Sequence, residues 1–431
     1  AGTALTTGDN NVAVGYVAGD ALTTGGSNVA IGKSALTADT LGSTSIAIGD
    51  SALGTQNFTT ATNAYNVAVG HQAGVLVTTG TENTFLGGLA GAALTTGIRS
   101  VLLGYQAGDA LTEGQENIAV GKSALSADTL GSRATAIGKS ALSSQNFTTA
   151  TQNYNVAVGY EAGKQTTTGI RNTLLGGLAG DALTDADDNV AIGQQSLSSD
   201  TLGSGAVAVG HNALFSQNFT TATTNYNVAI GYKTGEAVTT GQNNTLIGGL
   251  AGDALTTGDQ NVAVGTGALS TDDVGKFSTA IGYAALNAQN FATATESFNT
   301  AVGHNAGLSV TTGVKNVLVG SRSGDALTAG GQNVAIGHQT LSTDTLGSRS
   351  VAIGQNALEV QNFTTATETY NVAVGYDAGT KVTTGTDNTL IGALAGDALT
   401  TGSLNVAVGK NALGSDTKGG RSVAIGRATL L

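Results

Sequence analysis

Four residue types are missing altogether. The 431-residue chain contains no Cys, Pro, Met or Trp. Without Cys it can form no disulfide and no thiolate metal site. Without Pro nothing interrupts a hydrogen-bonded ladder, which suits a body of paired strands. Without Met there is no initiator. The chain also opens in mid-coil, because Ala4-Leu5-Thr6-Thr7-Gly8 matches Ala21-Leu22-Thr23-Thr24-Gly25, so an internal stretch of a longer polypeptide is expected. Charge is scarce as well: 11% of residues are charged and the formal net charge is −12. Nucleic-acid binding needs clustered Lys and Arg and is not expected. No apolar run is long enough to span a bilayer, so no membrane insertion is expected within this segment. Disorder is excluded too, since 40% of the residues are hydrophobic and regularly patterned.

What is present is one pentapeptide, first seen as Asn11-Val-Ala-Val-Gly15 and repeated with small changes 24 times. The copies start 17 residues apart, or 21 at five places. The fifth position is always Gly, and the fourth is Val, Ile or Leu. So short and strict a period marks a solenoid. The expected fold is all-β: a parallel β-solenoid (β-roll) of 24 coils of 17 or 21 residues, continuous as a single repeat region over 1–431. Three coils of 17 and one of 21 form a 72-residue super-repeat at 155–226, 227–298 and 299–370. The unit at 66–154 has one coil more, and 1–65 and 371–431 are partial. Stacking at about 4.8 Å per coil would make a rod of roughly 110–115 Å.

The pentad reads as a short strand that puts Val12 and Val14 on one face and Ala13 on the other. Its Gly ends the strand, at positive φ or where a Cβ would clash. Val17-Ala18 in one coil type and Ala35-Leu36 in another should form the opposite wall, with Thr-Thr-Gly and Thr-Leu-Gly as turns. The third position is Ala in most coils (Ala13, Ala30, Ala68) and Leu once in each later super-repeat (Leu174, Leu246, Leu318, Leu390). An apolar ladder on the second face must also be covered. These residues are therefore expected to line an interchain seam, in an intertwined or side-by-side homotrimer.

The pentads at Asn28, Ser350 and Ser422 resemble the head repeats of YadA-like trimeric autotransporter adhesins. The pattern Asn-x-Ala-x-Gly…Ala-Leu…Thr-Thr-Gly resembles repeats of phage tail fibres and related trimeric spikes. The resemblance covers the whole chain, although the coil here is longer than that family's usual head coil. It implies a left-handed trimeric β-roll with a role in attachment, extracellular, on a cell surface or a virion.

No catalytic, cofactor or metal constellation stands out, and no enzyme activity is expected. His71, His211, His304 and His338 all follow the pentad Gly, where other coils place Tyr16, Lys33 or Asp50, as on a solvated face. Asp20, Asp109, Asp181, Asp253, Asp325 and Asp397 share one corner position, suited to a turn. The candidate receptor-contact residues lie in the insertions of the 21-residue coils, at 56–65, 145–154, 217–226, 289–298 and 361–370. Each has an aromatic near either end: Phe58 and Tyr65, Phe147 and Tyr154, Phe219 and Tyr226, Phe291 and Phe298, Phe363 and Tyr370. Rings interleaved with Thr and amides suit a multivalent cell-surface glycan or protein receptor; the competing reading turns the rings inward as anchors. The expected function is a structural and adhesive fibre segment. The alternatives are a purely structural extracellular filament or an ice- or surface-binding solenoid. The Asn that opens 17 of the 24 pentads should form a stacked amide ladder or a turn cap.

Overall fold

The structure, a computed structural model, describes residues 1–430. It is a parallel β-solenoid of about 24 turns, and the described residues contain no helix. The chain divides into two units. One is Ala1–His211 with Asn218–Thr224; the other is Asn212–Gln217 with the chain from Asn225 on. Twelve pentad strands fall in each unit.

Every pentad forms a three-residue strand over its second to fourth positions, such as Val12–Val14 and Val29–Ile31. Neighbouring strands pair in parallel with no slip: Val12 faces Val29, Ala13 faces Ala30 and Val14 faces Ile31. The register is fixed by the Gly that follows. Gly176 has φ +141°, and a Cβ there would stand 2.5 Å from the carbonyl oxygen of Gly193 in the next coil. Positive φ and close approach therefore act together, and no other residue fits. The corners also use left-handed backbone at non-glycine positions, such as Ser27, Ser34 and Leu36 (φ 58°, 55° and 48°), which lets 17 residues close a full turn.

The inside of the coil is the reverse of the expected one. The third pentad position points inward: Ala30, Ala68, Leu174, Leu246, Leu318 and Leu390 are all 0–1% exposed within one chain. These residues are the solenoid's own core and not an interchain seam; Ala13, one coil before Ala30, takes the same inward position and is half-buried. The opposing wall lies close by: a Cβ at Gly19 would stand in van der Waals contact with the strand, 3.7 Å from the Cβ of Ala13 and 3.8 Å from that of Ala30. The second apolar patch does form that wall, with Ala18, Ala35 and Leu36 buried. Volume is conserved across the gap. Where the wall carries Leu125 or Leu142, the facing strands carry Ala119 and Ala136. Where the wall carries Gly163 and Gly180, Leu174 fills the space between them. This is the packing reason for one Leu per super-repeat.

The second and fourth pentad residues face outward. Ile31, Ile137, Ile247 and Ile281 are 37–38% exposed and Leu86 is 50% exposed. Each unit therefore presents a sheet face made only of Val, Ile, Leu and Thr.

The pentad Asn forms a ladder of a different kind from amide-on-amide stacking. Asn155 Oδ1 accepts from the backbone N–H of Asn172 (2.9 Å), and Asn155 Nδ2 donates to the carbonyl of Gly169 (2.7 Å). Each amide thus ties one coil to the next and caps its own turn; direct amide-to-amide bonds occur at Asn388 and Asn405. Five of the seven pentads without Asn belong to the 21-residue coils. There the insertion supplies the polar group. In the coil of Ala134, Asn153 Oδ1 caps the N–H of Asn155 and Gln145 Oε1 accepts from its Nδ2.

Candidate functional site

The insertions are built around a buried carboxylate. Asp128 Oδ1 accepts from the N–H groups of Gly131 (3.1 Å) and Phe147 (3.1 Å), and Oδ2 accepts from Gln145 Nε2 (2.6 Å). Asp39 and Asp344 hold Gln56 and Gln361 in the same way. Burial raises the carboxyls of Asp128, Asp272 and Asp344 above the ordinary range, against the hydrogen bonds from Gln145, Gln289 and Gln361 that favour the charge. These Asp and Gln residues were missed in the sequence. The available signal was their invariance, Asp-x-x-Gly in the coil before each insertion and Gln-Asn-Phe at its start.

The two rings of each insertion part company. Phe58, Phe147, Phe219, Phe291 and Phe363 are 4–6% exposed and anchor the loop, so the expectation that they offer a face to a receptor is corrected. Their N–H groups and rings are directed inward by the Asp that each loop wraps. Tyr65, Tyr154, Tyr226, Phe298 and Tyr370 are exposed by contrast, at the residue just before a pentad.

Beside three of these exposed rings, Tyr154, Phe298 and Tyr370, lie grooves at equivalent positions. The largest, ≈ 440 Å³, is lined by Gln332, Ser348, Arg349, Thr367 and Glu368 among others. In it Arg349 pairs with Glu368 (3.0 Å) and donates to Gln332 Oε1 (2.8 Å) and Tyr370 Oη (2.5 Å), with its guanidinium 5.5 Å from the Tyr370 ring centre. Arg133 repeats this with Tyr154 and with Glu116 (2.9 Å). Hydrogen bonds and charge from Arg133 and Arg99 hold Glu116 below the usual carboxylate range. In the smaller groove of the second unit, Phe277 stacks on Phe298 with ring centres 5.2 Å apart, and Lys276 pairs with Asp259 at 2.6 Å. Each groove combines a ring, an ion pair and amides with charges nearly balanced, and the two that hold an arginine add Ser and Thr hydroxyls.

A second column of rings escaped the sequence reading. Tyr16, Tyr105, Tyr160, Tyr232, Tyr283 and Tyr376 follow the pentad Gly, at the opposite edge of the strands. With them all ten tyrosines are exposed, between 47% and 74%. The four histidines share this column and are exposed, as expected of a solvated face. His304 stacks on Tyr283 (5.3 Å), and Lys139 lies 5.1 Å from the Tyr160 ring centre. The corner carboxylates Asp109, Asp181, Asp253 and Asp325 are raised by burial, each with a buried Oδ1 that has no partner among the described residues. Among the described residues no group of three His, Asp or Glu is placed to hold a metal ion. No known protein-family model matches this chain, and no curated protein matches it either.

Proposed function

We propose that the chain is a structural and adhesive fibre segment, homotrimeric and extracellular, carried on a cell surface or a virion. The observation that supports this reading most is the outward Val/Ile face. Two half-exposed side chains on each of twelve strands give a unit an apolar surface on the order of 1,000 Å², the scale of stable interfaces and beyond the patches usual on a monomer. No charge interrupts it. Its two edges carry the Tyr, Arg and His columns, the residue types enriched where proteins meet. The natural cover is a second copy of the chain, because only a partner with the same coil rise can match this face coil for coil.

Attachment falls to the grooves. Their near-neutral charge and mixture of ring and amide, with hydroxyls in the two arginine grooves, suit a cell-surface glycan or other receptor bound weakly at several equivalent positions, where repetition raises avidity. The deciding measurement is the mass of the assembly in solution by light scattering. A mass three times the 42.2 kDa chain is expected. A monomer would overturn the trimeric fibre and leave a lone solenoid, whose flat face would then suit ice or another ordered surface.

A further inference from the structure

Four of the five insertions carry the triplet Asn-Phe-Thr: Asn57-Phe58-Thr59, Asn146-Phe147-Thr148, Asn218-Phe219-Thr220 and Asn362-Phe363-Thr364. Asn-x-Thr is the acceptor pattern for asparagine-linked sugar. Here it is displayed on the folded surface. The Phe is buried while the Thr two residues after each Asn is exposed; Asn57, Asn146 and Asn218 are exposed and Asn362 is half-buried. The alternation puts the two groups that a transferase must reach on the same outer side. The amide is also oriented. A hydroxyl one coil earlier donates to its Oδ1: Thr40 to Asn57 (3.0 Å), Thr129 to Asn146 (3.0 Å), Thr201 to Asn218 (3.1 Å) and Thr345 to Asn362 (3.1 Å). The Nδ2 of each, the atom that takes the sugar, has no hydrogen-bond partner among the described residues.

The remaining insertion departs at both places. It reads Asn290-Phe291-Ala292, and Asp273 replaces the orienting Thr. Acceptor and support are thus lost together in one repeat and kept together in four.

We infer that Asn57, Asn146, Asn218 and Asn362 are N-glycosylation sites. The donor is a sugar joined through its anomeric carbon to a diphosphate. Asn Nδ2 forms a bond to that carbon as the carbon–oxygen bond to the diphosphate breaks. The diphosphate leaves with the electron pair, and one amide proton passes to a base of the transferase. The product would be a fringe of sugars at the loop edge, and nothing in it depends on the trimeric reading. A further triplet, Asn243-Asn244-Thr245, is unsuited: Asn243 is exposed but held in left-handed backbone (φ 58°), and its Thr245 is half-buried as the first residue of the strand Thr245–Ile247.

The test is peptide mass spectrometry, before and after enzymatic release of N-linked sugar. It is applied to the chain from its natural source and to the chain secreted by a host that has an asparagine oligosaccharyltransferase. Sugar is expected at the four sites, with Asn290 and Asn243 bare in the same samples. Thr148→Ala should abolish modification of Asn146 alone and Thr148→Ser should retain it, both with an unchanged thermal melt. Bare peptides at all four sites from both sources would overturn the inference. So would equal modification of Asn290, or modification of Asn146 that survives Thr148→Ala.

Discussion

A Cβ placed on Gly163 would stand 2.6 Å from Cδ1 of Leu174, so the two residues compete for one volume. Leu174→Ala should leave a cavity and cost about 3 kcal/mol. Gly163→Ala should cost a similar amount through the clash, together with backbone strain at φ +58°. Combining them should cost clearly less than the sum of the two, because the Ala methyl enters the space that Leu174 vacates. Urea-unfolding midpoints of the two single variants and the double variant measure this coupling; strict additivity would separate the two residues.

Adjacent glycines give a sharper contrast. Gly176→Ala meets the Gly193 carbonyl at 2.5 Å with φ +141° and should unfold or severely destabilise its coil. Gly177 has nothing within 4 Å of an added Cβ. Gly177→Ala should change stability by no more than about 0.5 kcal/mol. Thermal melts of the two variants side by side decide the matter.

The rings of one insertion should separate in the same way. Phe147 is 6% exposed, and Phe147→Ala should cost about 3 kcal/mol. Tyr154 is 48% exposed, and Tyr154→Ala should leave the melt almost unchanged. Hydrogen exchange would place the Phe147→Ala loss first at the loop, where the N–H of residue 147 bonds Asp128.

Acid should stabilise the solenoid before it harms it. Burial raises Asp109, Asp181, Asp253 and Asp325 above their ordinary 3.8. The folded chain then holds protons more tightly than the unfolded one. Their contribution to stability is full below about 3.8 and is lost as the pH rises through the raised folded values. Glu116 and Asp188 are lowered and act in the opposite sense, but both are exposed and count for little. The melting temperature should therefore be higher near pH 4.5 than at pH 7, with the difference reduced in Asp181→Asn. A melting temperature that falls on this acidification would contradict the assignment.

On the outer face, Ile247 and Ile281 are 37% and 38% exposed. Ile247→Lys and Ile281→Lys should leave the circular dichroism of the solenoid intact and reduce the assembly to a single 42.2 kDa chain. An unchanged assembly mass would move the contact between copies elsewhere on the surface.

Much was legible in the sequence. The constant 17-residue spacing, the obligatory Gly and the Val-x-Val alternation determined coil, strand and turn, because a ladder of identical pairings leaves no other register for Val12 and Val29. The insertions stood out by length and by their rings. The polarity of the sheet was not legible. Alternation says only that Ala13 and Val14 lie on opposite faces, and both are apolar, so hydrophobicity alone assigned the larger residue to the inside. Tertiary structure decided the reverse. The wall of a 17-residue coil closes to within a methyl contact of the strand, and only Ala fits there unless the wall itself yields a Gly, as Gly163 and Gly180 do for Leu174. The same closeness decided which ring of each insertion is buried, since Asp128 draws the N–H of Phe147 inward while the left-handed backbone at Tyr154 (φ 53°) turns its ring out. Periodicity is a local property of the chain and survives in the sequence; the width of a core exists only once the coil has closed.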